Sequence, residues 1–128
     1  MVRLEAKTPA SPREVQEALS NLKADLIHAD GLSGSQGFFG VIMFEKKYWR
    51  AQSYSSLSVM VKKVEGEDHT RITMVSSTER QDNILISLFA SSEKAFAREA
   101  LETLQQSLEI YDVTEDDRHN VWEFNPDL

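Results

Sequence analysis

Three histidines are the side chains in this sequence best suited to bind a metal or transfer protons: His28, His69 and His119. Zinc-binding histidines usually recur at short spacings, such as i, i+4 on a helix, or combine with cysteines. These three lie far apart in the chain, and the sequence has no cysteine. We therefore predict no metal site. We expect ordinary solvated histidines, with His28 at the C-terminus of a helix and His69 in a hairpin turn.

Glu45 is the acidic residue that falls inside a predicted central strand, and it is our one polar candidate for chemistry. A carboxyl group acts as a general acid or base near neutral pH when an apolar pocket raises its pKa. Glu45 and Lys47 lie on the same strand face as Val41 and Met43. Their charges suggest instead that the buried part of this face ends before Glu45. The frequent serines lack a G-x-S-x-G setting. We predict no catalytic residue, and an enzyme that uses Glu45 with His28 or His69 stays an alternative.

The segment from Asp30 to Gly37 is rich in glycine and serine, and another glycine follows at Gly40. A phosphate-binding loop would end in Lys-Ser or Lys-Thr and lead into a helix. Here a strand pattern follows the glycines, so we interpret the segment as a flexible loop. We predict no cofactor.

The formal net charge of −7 is concentrated beyond residue 111. The acids there are Asp112, Glu115, Asp116, Asp117, Glu123 and Asp127. Phosphate backbones repel an acidic tail, so we expect no nucleic-acid partner. The apolar stretch 38–44 is too short to cross a membrane, and charges near the N-terminus argue against a signal peptide. The absence of cysteine fits a reducing compartment, so we expect a cytoplasmic protein.

The first half of the chain shows one strand pattern and one helix pattern. Residues 2–8 alternate between apolar and charged side chains, which predicts a strand with one buried face. Ser11, Pro12 and Glu14 form a capping-box signature. The apolar residues that follow recur at helical spacing and predict a helix over 12–29. They are Val15, Ala18, Leu19, Leu22 and Leu26.

The second half predicts four strands and a second helix. Residues 38–50, 55–65 and 70–78 are rich in β-branched and aromatic side chains and are separated by turn signals. We interpret the short apolar segment 84–90 as a fourth strand. A helix from Ser91 or Ser92 to about Tyr111 follows from a second apolar stripe, made of Phe96, Ala100, Leu101, Leu104 and Leu108.

These elements predict an α+β fold in the order β-α-β-β-β-β-α. Consecutive strands with short connections favour an antiparallel sheet, and both helices would pack on one face of it. We expect one domain over residues 1–111 and an acidic C-terminal tail over residues 112–128. Leu19, Leu22, Phe96, Leu101 and Leu104 are the predicted core residues.

The predicted strands are apolar on both faces, although two helices can cover only one. Val41 and Met43 alternate with Ile42 and Phe44, and a sheet face in water should be more polar. A second subunit, the tail or a ligand should therefore cover the apolar residues on the face that the helices leave open. The candidate interaction residues are Phe44, Phe89, Trp122 and Phe124. We expect residues 120–125 to dock in extended form, with Glu115, Asp116 and Asp117 as a solvated spacer.

This pattern predicts a domain that acts through an apolar sheet face, most simply as a homodimer or by protein interaction. The alternative is a domain that binds a small molecule in an apolar pocket between the sheet and the C-terminal helix.

Four short segments follow one another in an order that resembles a known family. They are Phe44-Glu45-Lys46-Lys47-Tyr48, Ser56-Leu57-Ser58-Val59, Val75-Ser76-Ser77 and Ser92-Glu93-Lys94-Ala95-Phe96. The order is similar to a small bacterial family known only as a domain of unknown function. In that family an aromatic-Glu-Arg-Tyr strand precedes a Ser-Leu strand, a Ser-Gly-Gly turn and a Glu-Glu-Ala-Phe helix start. The resemblance implies a strand at 84–90 and no particular activity, and Ser77-Thr78-Glu79 stands where the family tends to have glycines.

Overall fold

The computed structural model describes residues 1–48, 53–78 and 86–116. Within these ranges the chain forms six strands and two helices. The strands are β1 (Val2–Thr8), β2 (Asp25–Gly34), β3 (Gly37–Tyr48), β4 (Ser53–Val64), β5 (Thr70–Thr78) and β6 (Tyr111–Asp116). The helices are α1 (Pro12–Leu19) and α2 (Ile86–Gln105).

The six strands form a single sheet in the order β2-β3-β4-β5-β1-β6, and every neighbouring pair is antiparallel. Strands β2 to β5 follow one another as a meander, while β1 lies between β5 and β6. The expected α+β class, the antiparallel sheet and the order β-α-β-β-β-β-α are confirmed, with β6 added at the end.

The hydrophobic core lies between one face of the sheet and both helices. Alternate residues of each central strand point into it, as in a sheet with one covered face. The buried sheet residues include Val2, Leu4, Ile42, Phe44, Leu57, Val59, Ile72 and Met74. Of the predicted core residues, Leu19, Leu22, Phe96 and Leu104 are buried, and Leu101 packs half-buried against them. The helix phases inferred for Leu19, Phe96 and Leu104 are therefore confirmed.

The first helix is shorter than predicted. It ends at Leu19, and the residues expected to complete a helix to position 29 enter β2 instead. Leu22 is buried in the turn between them, so its helical spacing from Leu19 reflects core packing rather than a continuing helix. Non-local pairing with β3 outweighs local spacing here, because β2 completes the outer edge of the meander.

The predicted glycine-rich loop is also mostly strand. Residues 30–34 pair with β3, and only the turn at 35–36 separates the two strands. Gly37 has φ 132°, and a Cβ atom there would lie 2.0 Å from the carbonyl oxygen of Lys63. The glycines therefore serve a tight hairpin rather than a flexible loop.

Two predictions for the second half also need correction. Residues 86–90, expected in a strand, belong to α2. Both edges of β5 are already paired, with β4 and β1, so a following strand has no free edge beside it. The helix ends at Gln105 rather than near Tyr111, and the start of the expected acidic tail forms β6.

The capping box at the start of α1 yields a stability prediction. The Glu14 amide donates to Ser11 Oγ, and the Ser11 amide donates to Glu14 Oε1, both at 3.2 Å. Ser11→Ala should lower the free energy of unfolding by about 0.5–2 kcal/mol, because an orphan helix amide loses its acceptor. Urea unfolding of this variant is compared with Ser107→Ala, at an exposed position after α2. Equal stability of the two variants would contradict the role of the box.

Candidate interaction surface

The sheet face opposite α1 and α2, here called the open face, carries the residues that alternate with the core positions. All of them are half-buried or exposed. In the four strands β3, β4, β5 and β1 they are Phe39, Val41, Met43, Glu45, Lys47, Tyr54, Ser56, Ser58, Met60, Lys62, Arg71, Thr73, Val75, Ser77, Arg3, Glu5 and Lys7. No described helix packs on this side, because the helix contacts with the sheet belong to the core face.

The strand register arranges these side chains in rows that run across the sheet, since directly paired residues share a face. The Lys62 row is Leu32, Phe39, Lys62, Arg71 and Lys7. The Asp30 row is Asp30, Val41, Met60, Thr73 and Glu5. The His28 row is His28, Met43, Ser58, Val75 and Arg3. The Glu45 row is Asp25, Glu45, Ser56 and Ser77.

The centre of the open face is apolar. Val41, Met43 and Met60 occupy adjoining positions of two neighbouring strands, and Val75 continues the patch into β5. Phe39 extends it with 47% exposure of its surface. A contiguous apolar patch on a small domain commonly marks a surface that contacts another molecule.

Charged side chains of both signs surround this apolar centre. Lys62, Arg71 and Lys7 supply positive charge in one outer row, while Asp25 and Glu45 supply negative charge in the other. The two inner rows carry charges toward the edges of the sheet as well. Asp30 and Glu5 lie in one row, and Arg3 lies in the other, where it pairs with Asp116 of β6. An apolar centre with a charged rim is the usual anatomy of a protein interface.

The acidic segment that begins at Asp112 is a strand paired with β1 beside basic residues, rather than a spacer. Lys7 Nζ lies 3.5 Å from Asp112 Oδ2, and Arg3 NH2 lies 3.7 Å from Asp116 Oδ2. Arg98 on α2 reaches Glu115 at 3.4 Å. The spacer prediction is therefore wrong for Glu115 and Asp116. Its physical fault was to treat acids as solvated when the basic residues of β1 and α2 could pair with them.

The four predicted interaction residues do not form a site on the open face. Phe44 is only 5% exposed and lies in the core, because β3 turns it toward the helices. Phe89 lies in α2 instead of a strand, and its side chain is outside the described part of the structure. Trp122 and Phe124, with the docking expected for residues 120–125, also lie outside the described residues.

The residues that do form the apolar patch were partly visible in the sequence. Val41 and Met43 were identified as apolar residues that two helices could leave uncovered. The same alternation in β4 could have added Met60. Leu32, which is 76% exposed, had no such signal, because its segment had been interpreted as a loop. Period-two patterns identify two faces but do not tell which of them the helices cover.

Glu45 lies on the open face beside hydroxyl side chains. A hollow of about 270 Å³ is lined by Glu45, Tyr54, Ser55, Ser56, Ser77 and Thr78. Ser56 Oγ and Ser77 Oγ are 2.9 Å apart, and Ser55 Oγ and Thr78 Oγ1 are 2.8 Å apart. These pairs join β4 to β5. His28 occupies the adjacent row and does not line the hollow, so the described residues place no histidine in it with Glu45.

The histidines lie in different places from one another. His28 is exposed in β2, not at a helix end. His69 lies in the β4–β5 connection, where Nε2 is 3.1 Å from Glu67 Oε2 and Nδ1 is 3.2 Å from Asp68 Oδ1. His119 is outside the described residues. Among residues 1–48, 53–78 and 86–116, no cluster of three histidine or carboxylate side chains could hold a metal ion.

A cavity of about 300 Å³ lies on the helix side of the sheet. It is bounded by Pro12 and Gln16 of α1, and its floor includes Phe38 and Ile42. The ring of Phe38 covers two glycines, since a Cβ atom on Gly31 or Gly40 would approach it to 2.8 Å. The expected ligand pocket was to lie against the C-terminal helix, whereas this cavity lies beside the N-terminal one.

Comparison with known proteins adds little to this description. The sequence matches no family model, and no curated protein matches it significantly. A solved structure of a conserved hypothetical protein from Pyrococcus furiosus is similar with a TM-score of 0.31 and 6% sequence identity. That similarity covers 84% of this chain and 94% of the other, and at this TM-score it supports no argument about function. No helix in the described part of the chain is long and apolar enough to span a bilayer.

The His69 cluster yields a pH prediction. The hydrogen bond from His69 lowers the pKa of the exposed Asp68 carboxyl below its ordinary value, and a bond to its own backbone adds to this. A lowered pKa in the folded state stabilises the fold above the unfolded pKa, and this contribution disappears as pH falls through the folded value. In an NMR titration, His69→Ala should raise the pKa of Asp68, whereas His28→Ala should leave it unchanged. An unchanged Asp68 pKa in His69→Ala would exclude this cause.

Proposed function

We propose that this protein is a non-enzymatic domain that forms a homodimer through its open face. The observation that carries the proposal is the apolar patch at the centre of that face. Val41 pairs directly with Met60, Met43 lies two residues along from Val41, and Val75 lies across Ser58 from Met43, on a surface that no described helix covers. Burying such a patch against another surface releases its hydration water and stabilises the complex.

The dimensions of the open face suit a standard interface. Neighbouring strands lie about 4.8 Å apart and residues rise about 3.4 Å along a strand, so the face measures roughly 24 by 27 Å. A stable protein interface buries about 800 Å² on each partner. A rugged face of this size can supply most of that area. The two sheets would pack about 10 Å apart, as in a β-sandwich.

A second copy of the chain is the partner that the charges favour. The whole protein carries a net charge of −7, which would oppose self-association if the contact surface were acidic. The open face instead carries both signs, with Arg3, Lys62 and Arg71 against Asp30 and Glu45. Such a face can be complementary to itself, as a twofold-symmetric interface requires.

The proposal includes a cytoplasmic location. The absence of cysteine is consistent with a reducing compartment.

A substitution at the centre of the patch tests the dimer directly. Met43→Asp would bury a charge in the interface, so the dimer dissociation constant should rise at least tenfold. The matched control is Leu26→Asp, because Leu26 is 61% exposed but lies on the opposite side of the sheet, paired with Phe44. Sedimentation velocity over a range of concentrations measures both. A wild-type protein that stays monomeric throughout, or equal weakening by both variants, would contradict the proposal.

A further inference from the structure

The charge pattern of the open face determines how two copies fit together. We infer that the dimer axis crosses the strands between the Asp30 row and the His28 row. In this arrangement Glu5 faces the partner's Arg3. This inference rests on the proposed homodimer and adds its geometry.

A twofold axis in this position has simple consequences. Rotation about it keeps each strand over its own copy and reverses the direction of that strand. The Asp30 row therefore covers the partner's His28 row, and the Lys62 row covers the partner's Glu45 row. Sheets packed in an aligned sandwich cross by only about 30°, so the central rows stay in contact.

The paired side chains are then complementary. At the centre, Val41 covers the partner's Met43, which gives an apolar contact. Toward the edges of the sheet, Glu5 faces the partner's Arg3, and Asp30 faces the partner's His28. In the outer rows, Lys62 lies diagonally opposite the partner's Glu45, which Phe39 covers directly. The contact between Glu5 and the partner's Arg3 therefore joins opposite charges.

A second way to place two such faces together is unfavourable. An axis that runs parallel to the strands, along β4, would put Lys62 over the partner's Lys62. It would also put Asp30 over the partner's Glu5, so that two carboxylates meet. Like charges in direct contact across an interface are strongly disfavoured.

Moving the twofold axis from between the two rows onto either row is equally unfavourable. An axis on the Asp30 row would place Glu5 over the partner's Glu5 and Asp30 over the partner's Asp30. An axis on the His28 row would place Arg3 over its own copy. The position between the two rows is the one of these four that pairs opposite signs.

Arg3 and Glu5 are well placed for this contact. Arg3 Nε lies 3.7 Å from Glu5 Oε1 in the same chain, and the two side chains are 40% and 49% exposed. With the partner's pair, they would form a cluster of two arginines and two glutamates, beside the Asp116 that each Arg3 already contacts in its own chain. Such a cluster holds its side chains at a smaller loss of conformational freedom than isolated surface pairs.

The experiment is a charge swap measured by sedimentation at low ionic strength. Glu5→Arg should raise the dimer dissociation constant about tenfold, because two contacts per dimer become repulsive. Arg3→Glu should do the same, and it additionally removes the contact with Asp116. The double variant, with Arg3→Glu and Glu5→Arg together, keeps the wild-type net charge and should restore the wild-type dissociation constant.

Arg13→Glu is the matched control, since Arg13 is 87% exposed on α1, away from the open face. It should leave the dissociation constant unchanged, and circular dichroism confirms that every variant is folded. A dimer that tolerates both single variants, or that the double variant fails to restore, would overturn this axis and leave the homodimer standing. A monomeric wild-type protein would overturn the proposed function itself.

Discussion

The sheet has two faces, and the described part of the chain supplies helices for only one of them. Val15 and Leu19 of α1 and Phe96 and Leu104 of α2 converge on the same side of the sheet. The opposite face keeps Val41, Met43 and Met60 at its centre, where a solvated face would be expected to be polar. An uncovered apolar surface of this kind is the constraint that our functional proposal answers.

The strand register fixes the position of every side chain on the open face. Each of its side chains has a known neighbour, because pairing fixes which residues of adjacent strands lie side by side. A one-residue slip of β3 would exchange Val41 for Ile42 and invert the face. The hairpin at Gly37 helps to prevent such a slip, since a side chain there would collide with the Lys63 backbone. For any given twofold axis, the residue of the partner that each charged or apolar side chain faces can therefore be read from the register.

The two edge strands of the sheet, β6 and β2, differ in length and charge. Strand β6 is short and acidic, and its pairing with β1 contains an irregularity between Glu5 and Lys7. Short, charged and irregular edges resist pairing with other sheets. At the other edge β2 is longer, with an irregularity between Leu26 and His28. The proposed contact is made by the face and leaves both edges in place.

Local patterns in the sequence predicted much of the covered face. The capping box at Ser11, the stripe that contains Phe96 and Leu104, and the alternation through β3 and β5 each depend on neighbours close in the chain. The failures all involve distant partners. Leu26 has helical spacing but pairs with Phe44, and Asp112 was interpreted as a tail residue although Lys7 holds it beside β1. Phe44 was assigned to an interaction surface because alternation alone cannot show which face the helices occupy.

Methionine oxidation measures most directly whether the open face is covered in solution. Met43 and Met60 lie on that face, and Met74 is fully buried in the core. Exposed thioethers react with peroxide and buried ones react slowly, so the reaction rate reports access to solvent. The account predicts that oxidation of Met43 and Met60 slows as protein concentration rises through the dimerisation range, while Met74 reacts slowly at every concentration. Rates for Met43 and Met60 that do not change with concentration would contradict it.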